Sequence, residues 1–234
     1  MRKERNEKKG SLCAMHLNKK DLIKRYIFLF VGLTIMAFGI AFSIKANLGT
    51  SPISSVPYVV SSFTSLSVGE ATIIMHCVFI LFQILLLRKN FALIQLMQLP
   101  VAFIFGYLTD FALYILGGIA YHSYLHQWFY CIVGIVLVAI GVSCEVAANV
   151  VTLAGEGVIL AICKVFPIKF GNMKVLFDIL LVCIAIVLSF VFIGRLVGVR
   201  EGTVAAALLV GVFTKRFQKW IHKATSKLFA FHTY

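Results

Sequence analysis

Two stretches, VGLTIMAFGIAFSIKANLGT (31–50) and VGIVLVAIGVSCEVAANVVT (133–152), decide how this chain is read. Superposed at an offset of 102 residues, they match at Val31/Val133, Gly32/Gly134, Ala37/Ala139, Gly39/Gly141, Ala46/Ala148, Asn47/Asn149 and Thr50/Thr152. The same register, without a gap, carries Val56 onto Val158 and Gly69 onto Gly171. Apolar segments draw on few residue types, so chance supplies part of such a match. The clustering of Gly, Ala and Asn is the informative part. It divides the chain into a first membrane repeat (26–127) and a second (128–214), flanked by basic tails (1–25 and 215–234).

Composition sets the class. Of 234 residues, 61% are hydrophobic and 13% charged, with a mean hydropathy of +0.97. A soluble domain carries about 25% charged residues, so a soluble enzyme, a nucleic-acid-binding domain and a disordered chain are all excluded. The net charge of +13 does not argue for nucleic acid, because fourteen of the 22 Lys and Arg residues lie in the two tails. Basic residues beside a bilayer gain about 1 kcal/mol each near anionic lipid, so the bilayer and its anionic lipids are the expected partners of those tails. In the C-tail, Phe217, Trp220, Ile221, Ala224 and Leu228 recur at helical spacing opposite Lys219, Lys223 and Lys227, which predicts an interfacial amphipathic helix.

A bilayer core takes about 20 mostly apolar residues per helix. Six segments qualify: Tyr26 to Ala46, Ala71 to Leu87, Ala92 to Leu116, Trp128 to Ala148, Val175 to Gly194, and Thr203 to Phe213 with its flanks. The last has the shortest apolar run. Two shorter, punctuated stretches, Pro52 to Ser62 and Gly157 to Phe166, read as re-entrant. With those two not crossing, Arg88, Lys89, Lys164, Lys169 and Lys174 fall inside with both tails. The link 117–127, free of Lys and Arg, falls outside, as the positive-inside rule requires. The N-terminal region is too charged and its apolar run too long for a cleaved signal; it reads as a signal anchor. Each half then holds three spans. Three is odd, so the second half must be inverted. The expectation is an all-α polytopic membrane protein with six transmembrane helices and two short re-entrant helices in an inverted 3+3 repeat. In secondary transporters, such interrupted helices build the binding site near the repeat interface.

The interrupted segments carry the polar residues. In the first, Lys45, Asn47, Thr50, Ser51 and Ser54 surround a turn, and Ser51 before Pro52 predicts an N-cap and N1 pair. A helix N-terminus at membrane depth suits an anion or carboxylate, although the same atoms can serve only as caps. In the second, Glu145, Asn149, Thr152 and Glu156 are grouped, with Thr152 the expected N-cap. Glu145 lies one turn before Asn149. An acid within a span is a functional candidate by default, so Glu145 and Glu156, with Asp110 and Asp178, are candidate proton or ion-coupling groups. Asp178 stands four residues after Lys174, and an i,i+4 pair would neutralise both. His76 reads as a packed histidine. Gly32 with Gly39, and Gly134 with Gly141, place small residues on one face of each helix and predict a close crossing of spans one and four. Arg200 and Glu201 are expected to pair locally or line an outer vestibule.

Other signatures are missing from the sequence. It holds no HExxH, GxSxG or phosphate-binding glycine loop. His122 and His126 alone make a weak metal signal. The six cysteines show no CxxC spacing and read as free thiols. No cofactor, no metal and no catalytic residues are expected, and the protein does not read as an enzyme.

The stretches AFGIAFSIKANLGTSPISSVPYV (37–59), QLMQLPVAFIFGYLTD (95–110), GVSCEVAANVVTLAGEG (141–157) and GVREGT (198–203) resemble the YczE/YyaS/YitT family of bacterial integral membrane proteins. The resemblance runs from about Tyr26 to Phe217. Ala154 departs from it, standing where proline is expected. The resemblance implies a bacterial cytoplasmic membrane protein, here with both termini cytoplasmic, and brings no substrate or mechanism. The leading functional expectation is a small secondary transporter or substrate-binding membrane component. Its solute would be a small organic anion or zwitterion, with the first cluster taking a carboxylate and Glu145 or Glu156 an amine or proton. The alternative is a non-transporting accessory or regulatory protein acting through a partner complex, and a homodimer or a partner membrane protein would fit either reading.

Overall fold

The computed structural model describes residues 19–119 and 123–228, and among them every regular element is helical. The helices are α1 (Lys19–Ala46), α2 (Pro52–Phe63), α3 (Val68–Leu87), α4 (Gln98–Ile115), α5 (Tyr124–Ala148), α6 (Ala154–Val165), α7 (Phe170–Leu188) and α8 (Glu201–Leu228). Hydrocarbon offers a backbone no hydrogen bonds, so spanning segments of this composition close theirs internally as helices. Among the described residues, five stretches are long and apolar enough to cross a membrane: Asp21–Ala46, Val68–Asn90, Leu93–Gly118, Tyr124–Ala148 and Phe170–Ile193. The sixth expected span, Thr203 to Phe213, lies within α8, which enters the basic tail without a break. Its apolar part is bounded closely by Glu201 and by Lys215 and Arg216, and this sets it apart from the other five.

The expected short helices form at α2 and α6, twelve residues each. The helix ends keep a fixed spacing. Ala46 and Ala148 close α1 and α5; Pro52–Phe63 and Ala154–Val165 bound the short helices; Val68 and Phe170 open α3 and α7. The second member of each pair lies 102 residues after the first. Ser51 caps α2 by position, with Pro52 at N1. Thr152 does not cap α6: Leu153 occupies that position, because Glu145 reaches over from α5 and accepts the Leu153 N–H at 2.6 Å.

At the centre, α1 and α5 cross antiparallel. A Cβ at Gly32 would lie 2.7 Å from the Cβ of Cys144, and one at Gly39 would lie 2.7 Å from the Val138 nitrogen. Reciprocally, a Cβ at Gly134 would lie 2.7 Å from the Gly39 oxygen, and one at Gly141 the same distance from the Gly32 oxygen. The glycine faces predicted from the sequence are therefore the contact surface. Leu29, Leu33, Met36, Ala37, Val138 and Ala148 fill the core around the crossing. Arg25, buried at the start of α1, donates from Nη1 to the Ala148 carbonyl at 3.1 Å and ties that end to the last turn of α5.

Around this pair the short helices pack across the halves, α2 on α7 and α6 on α3, whereas α4 packs on α1 and α8 on α5 within each half. One contact has no counterpart. In the first half α3 rests on α4, where a Cβ at Gly106 would lie 2.7 Å from the Gly69 oxygen. In the second half α7 makes no comparable contact with α8, and the space above Gly171 is open. The α7 span is 22% buried, against 39% for the α3 span. The five described cysteines are free thiols. The readings placed on residues 1–18 and His122, and on the side chains of Ala224, Lys227 and Leu228, lie outside the described residues.

Candidate functional site

Both interrupted segments begin alike. Asn47 and Asn149, directly after α1 and α5, take left-handed backbone at φ 54° and 48°. Asparagine enters that region more readily than most residues. Because α1 and α5 are antiparallel, the two turns stand at opposite ends of the bundle. The short helices run back from them and meet where the Ile53 side chain covers Gly155. That meeting is apolar.

The second turn borders a cavity of about 240 Å³ lined by residues of the 94–98 segment, the last turns of α5, residues 149–152 and the start of α6. Of the sequence-predicted residues, Glu145, Asn149 and Thr152 line it. Glu145 is 1% exposed, its carboxylate held by the Leu153 N–H. Glu156 does not line the cavity. Asp178 and Lys174 form the anticipated i,i+4 ion pair at 2.7 Å.

Three glutamines complete this site, and the sequence reading missed them. Gln83 in α3 and Gln98 in α4 are buried and exchange amide hydrogen bonds: Gln83 Nε2 donates to Gln98 Oε1 at 3.0 Å and Gln98 Nε2 to Gln83 Oε1 at 3.4 Å. Gln83 Nε2 also donates to the Ala154 carbonyl at 3.2 Å. Gly157 makes room for them, since a Cβ there would lie 2.7 Å from Gln83 Oε1 and 2.8 Å from Gln98 Nε2. Gln95 lines the cavity with a buried Oε1 that has no hydrogen-bond partner. A neutral amide within FILFQILLL (79–87) was the available signal.

The first turn is closed instead. Thr50 donates from its backbone N–H (3.0 Å) and its hydroxyl (3.3 Å) to the Gly198 carbonyl. Gly202 N–H donates to the Leu48 carbonyl at 2.7 Å, and Arg200 Nη1 to the Asn47 carbonyl at 2.9 Å. Arg200 also pairs with Glu201 at 3.3 Å. Gly49 takes φ 96°, and a Cβ on it would lie 2.6 Å from the Arg200 nitrogen, so only glycine fits beneath this loop. Ser51 and Ser54 share a hydroxyl–hydroxyl bond of 2.5 Å at the start of α2. Lys45 is half-buried. The five predicted residues of the first cluster do not line the cavity at the second turn.

Asp110 stands apart from both turns. It accepts from the Ser67 hydroxyl at 2.5 Å and from the Gly69 N–H at 2.7 Å, at the start of α3. That helix is further closed by a capping box between Ser67 and Glu70. His76 is buried between Phe79 and Phe105 with no partner for Nδ1.

Comparison with known proteins agrees with the resemblance seen in the sequence. The chain is 28% identical over 118 residues to the uncharacterized protein YyaS of Bacillus subtilis (strain 168), covering 50% of this chain and 57% of that one. It is 30% identical over 135 residues to the uncharacterized membrane protein YczE of the same organism, covering 56% and 59%. The chain thus spans under two thirds of the length of these curated relatives. No solved structure matches it significantly. A family model described as a family of unknown function, DUF6198, matches residues 23–219, and the chain belongs to that family.

Proposed function

We propose that this protein is a small secondary transporter of the cytoplasmic membrane that binds its solute at the second interrupted segment. The observation that carries the reading is the cavity itself: a buried carboxylate, a free amide oxygen and a broken backbone converge on one space. Irregular backbone at membrane depth is tolerated where it is buried or lines a cavity, and broken helices form the sites of many secondary transporters.

The architecture behind the proposal is a six-span inverted repeat with both termini cytoplasmic, in which the first part of α8 supplies the sixth crossing. Three observations support it: the 102-residue spacing of the helix ends, the antiparallel crossing of α1 and α5, and the exchange of packing partners between halves. The basic end of α8, with Lys215, Arg216, Lys219 and an exposed Trp220, would then lie along anionic lipid at the inner surface. Of the coupling candidates, Asp110 and Asp178 are engaged by close partners, which leaves Glu145 and Glu156 to bind a proton or ion. A zwitterion fits the cavity better than a simple anion, because its buried charge is a carboxylate. The accessory-protein reading draws on the thinly covered face of α7, which a partner membrane protein could occupy in place of lipid.

A thermal-stability screen of the detergent-purified chain against amino acids, organic acids, amines and inorganic anions tests the reading. A bound solute at 100 times its dissociation constant stabilises by about 2.7 kcal/mol. The expected result is a solute whose stabilisation disappears in Glu145→Gln and whose uptake into proteoliposomes disappears with it. Lipid-only stabilisation, with Glu145→Gln and Asn149→Ala behaving as wild type throughout, would retire the transporter reading in favour of a partner protein.

A further inference from the structure

Among the described residues, Glu145 is the one charged side chain that lines the cavity. Glu145, 1% exposed, receives a single hydrogen bond, from the Leu153 N–H. An ionised carboxylate has room for about four, and buried charges are as a rule paired or bound to a cation. No Lys, Arg or His among the described residues lines the cavity. Neither Glu156 nor Lys174 lines the cavity, and the Lys174 ammonium is paired with Asp178 at 2.7 Å. Gln95 adds a buried oxygen with no donor. The Gln98 amide nitrogen, which would otherwise offer a donor, is turned to Gln83. Glu145 and Gln95 Oε1 are thus two buried acceptors at the cavity that the protein leaves short of donors, while the Asn149 amide and the Thr152 hydroxyl lie on the turn that borders it.

We infer that the cavity is a seat for a small protonated primary amine, with Glu145 as counter-ion, Gln95 Oε1 as second acceptor, and a short apolar body lying against Val146, Val150 and Leu160. An ammonium carries three N–H donors and no acceptor, which complements a carboxylate and an amide oxygen that lack them. A ligand with a carboxylate at its far end would enter amine first, leaving that carboxylate to Asn149 and Thr152. The 240 Å³ of space is of small-molecule size. This assignment rests on the solute-site reading above and adds to it the chemical class of the ligand.

The test uses the purified full chain with four matched probes: n-butylammonium chloride, 4-aminobutyrate, sodium butyrate and n-butanol, at constant pH and ionic strength. The expected result is a saturable rise in melting temperature with the two amines and none with butyrate or butanol. Glu145→Gln, which keeps an oxygen for the Leu153 N–H, should weaken amine binding at least tenfold; Gln95→Ala should weaken it severalfold and leaves Glu145 untouched. Equal amine stabilisation in wild type and in both variants would overturn the inference. So would saturable stabilisation by butyrate alone; if Glu145→Gln abolished that effect, the solute site would stand and only its ligand class would fall. A flat response to all four probes, with both variants melting like wild type, would overturn the class and, with a negative broad screen, the site as well.

Discussion

Glutamines 83 and 98 show what a neutral polar side chain is for inside an apolar bundle. Their reciprocal amide bonds join α3 to α4, and the extra bond from Gln83 to the Ala154 carbonyl holds the start of α6 in place. Removing one partner leaves the other buried and unsatisfied, which costs about 1–3 kcal/mol. Gln98→Leu should therefore lower the melting temperature in detergent, while Gln83→Leu combined with Gln98→Leu should recover part of the loss. Additive losses would show that the pair is not a unit. At this scale the sequence was informative about charge and poor on amides. Glu145 and Asn149 stood out because an acid or an exposed turn residue is costly in an apolar run. Gln83 and Gln98 passed as ordinary polar substitutions, since nothing local shows that two residues 15 apart share one pair of bonds. Thr152 misled for a related reason: a carboxylate from another helix holds the Leu153 N–H, the helix starts one residue later than expected, and that interaction is visible only after folding.

At the level of elements, the chain was legible wherever apolar length or punctuation decides the outcome. The five spans and both short helices form at or near their expected positions, because an apolar run has no alternative to a helix in lipid and Asn, Gly and Pro break it locally. The crossing of α1 and α5 was legible too, since glycines seven apart share a helix face. Where the first half rests α3 on α4, the second leaves Gly171 uncovered; a repeat in sequence conceals this difference, because it depends on tertiary contacts. Gly39→Ala and Gly134→Ala should each destabilise by about 1–3 kcal/mol, since an added methyl meets backbone in a tightly packed crossing. Gly211→Ala in α8 is the control: open space surrounds it, so the change should be neutral or stabilise by up to about 1 kcal/mol through helix propensity. Thermal unfolding of the three variants distinguishes these outcomes. Equal destabilisation by all three would remove the crossing from its central place in the fold.

For the whole molecule, the two turns after α1 and α5 have opposite states. The turn at Asn149 borders a cavity, whereas the turn at Asn47 is bound to the 198–203 loop by Thr50, Arg200 and Gly202. Positions 102 apart thus do different work: Gln98 leaves space beside the second turn, and Arg200 closes the first. In the proposed transporter this is an inward-facing state with a latched outer side, and the alternate state releases the latch. Arg200→Ala should loosen the outer turn with little effect on the inner cavity. The most direct measurement is side-specific labelling by a membrane-impermeant maleimide in Thr50→Cys and Thr152→Cys variants, each with and without Arg200→Ala, with the parent chain giving the baseline from its own cysteines. The account predicts that Thr152→Cys reacts only from the cytoplasmic side. Thr50→Cys, 1% exposed as the native threonine, should stay protected until Arg200 is removed and then react only from outside. Reaction of both positions from the same side would contradict the inverted arrangement and the transport reading built on it.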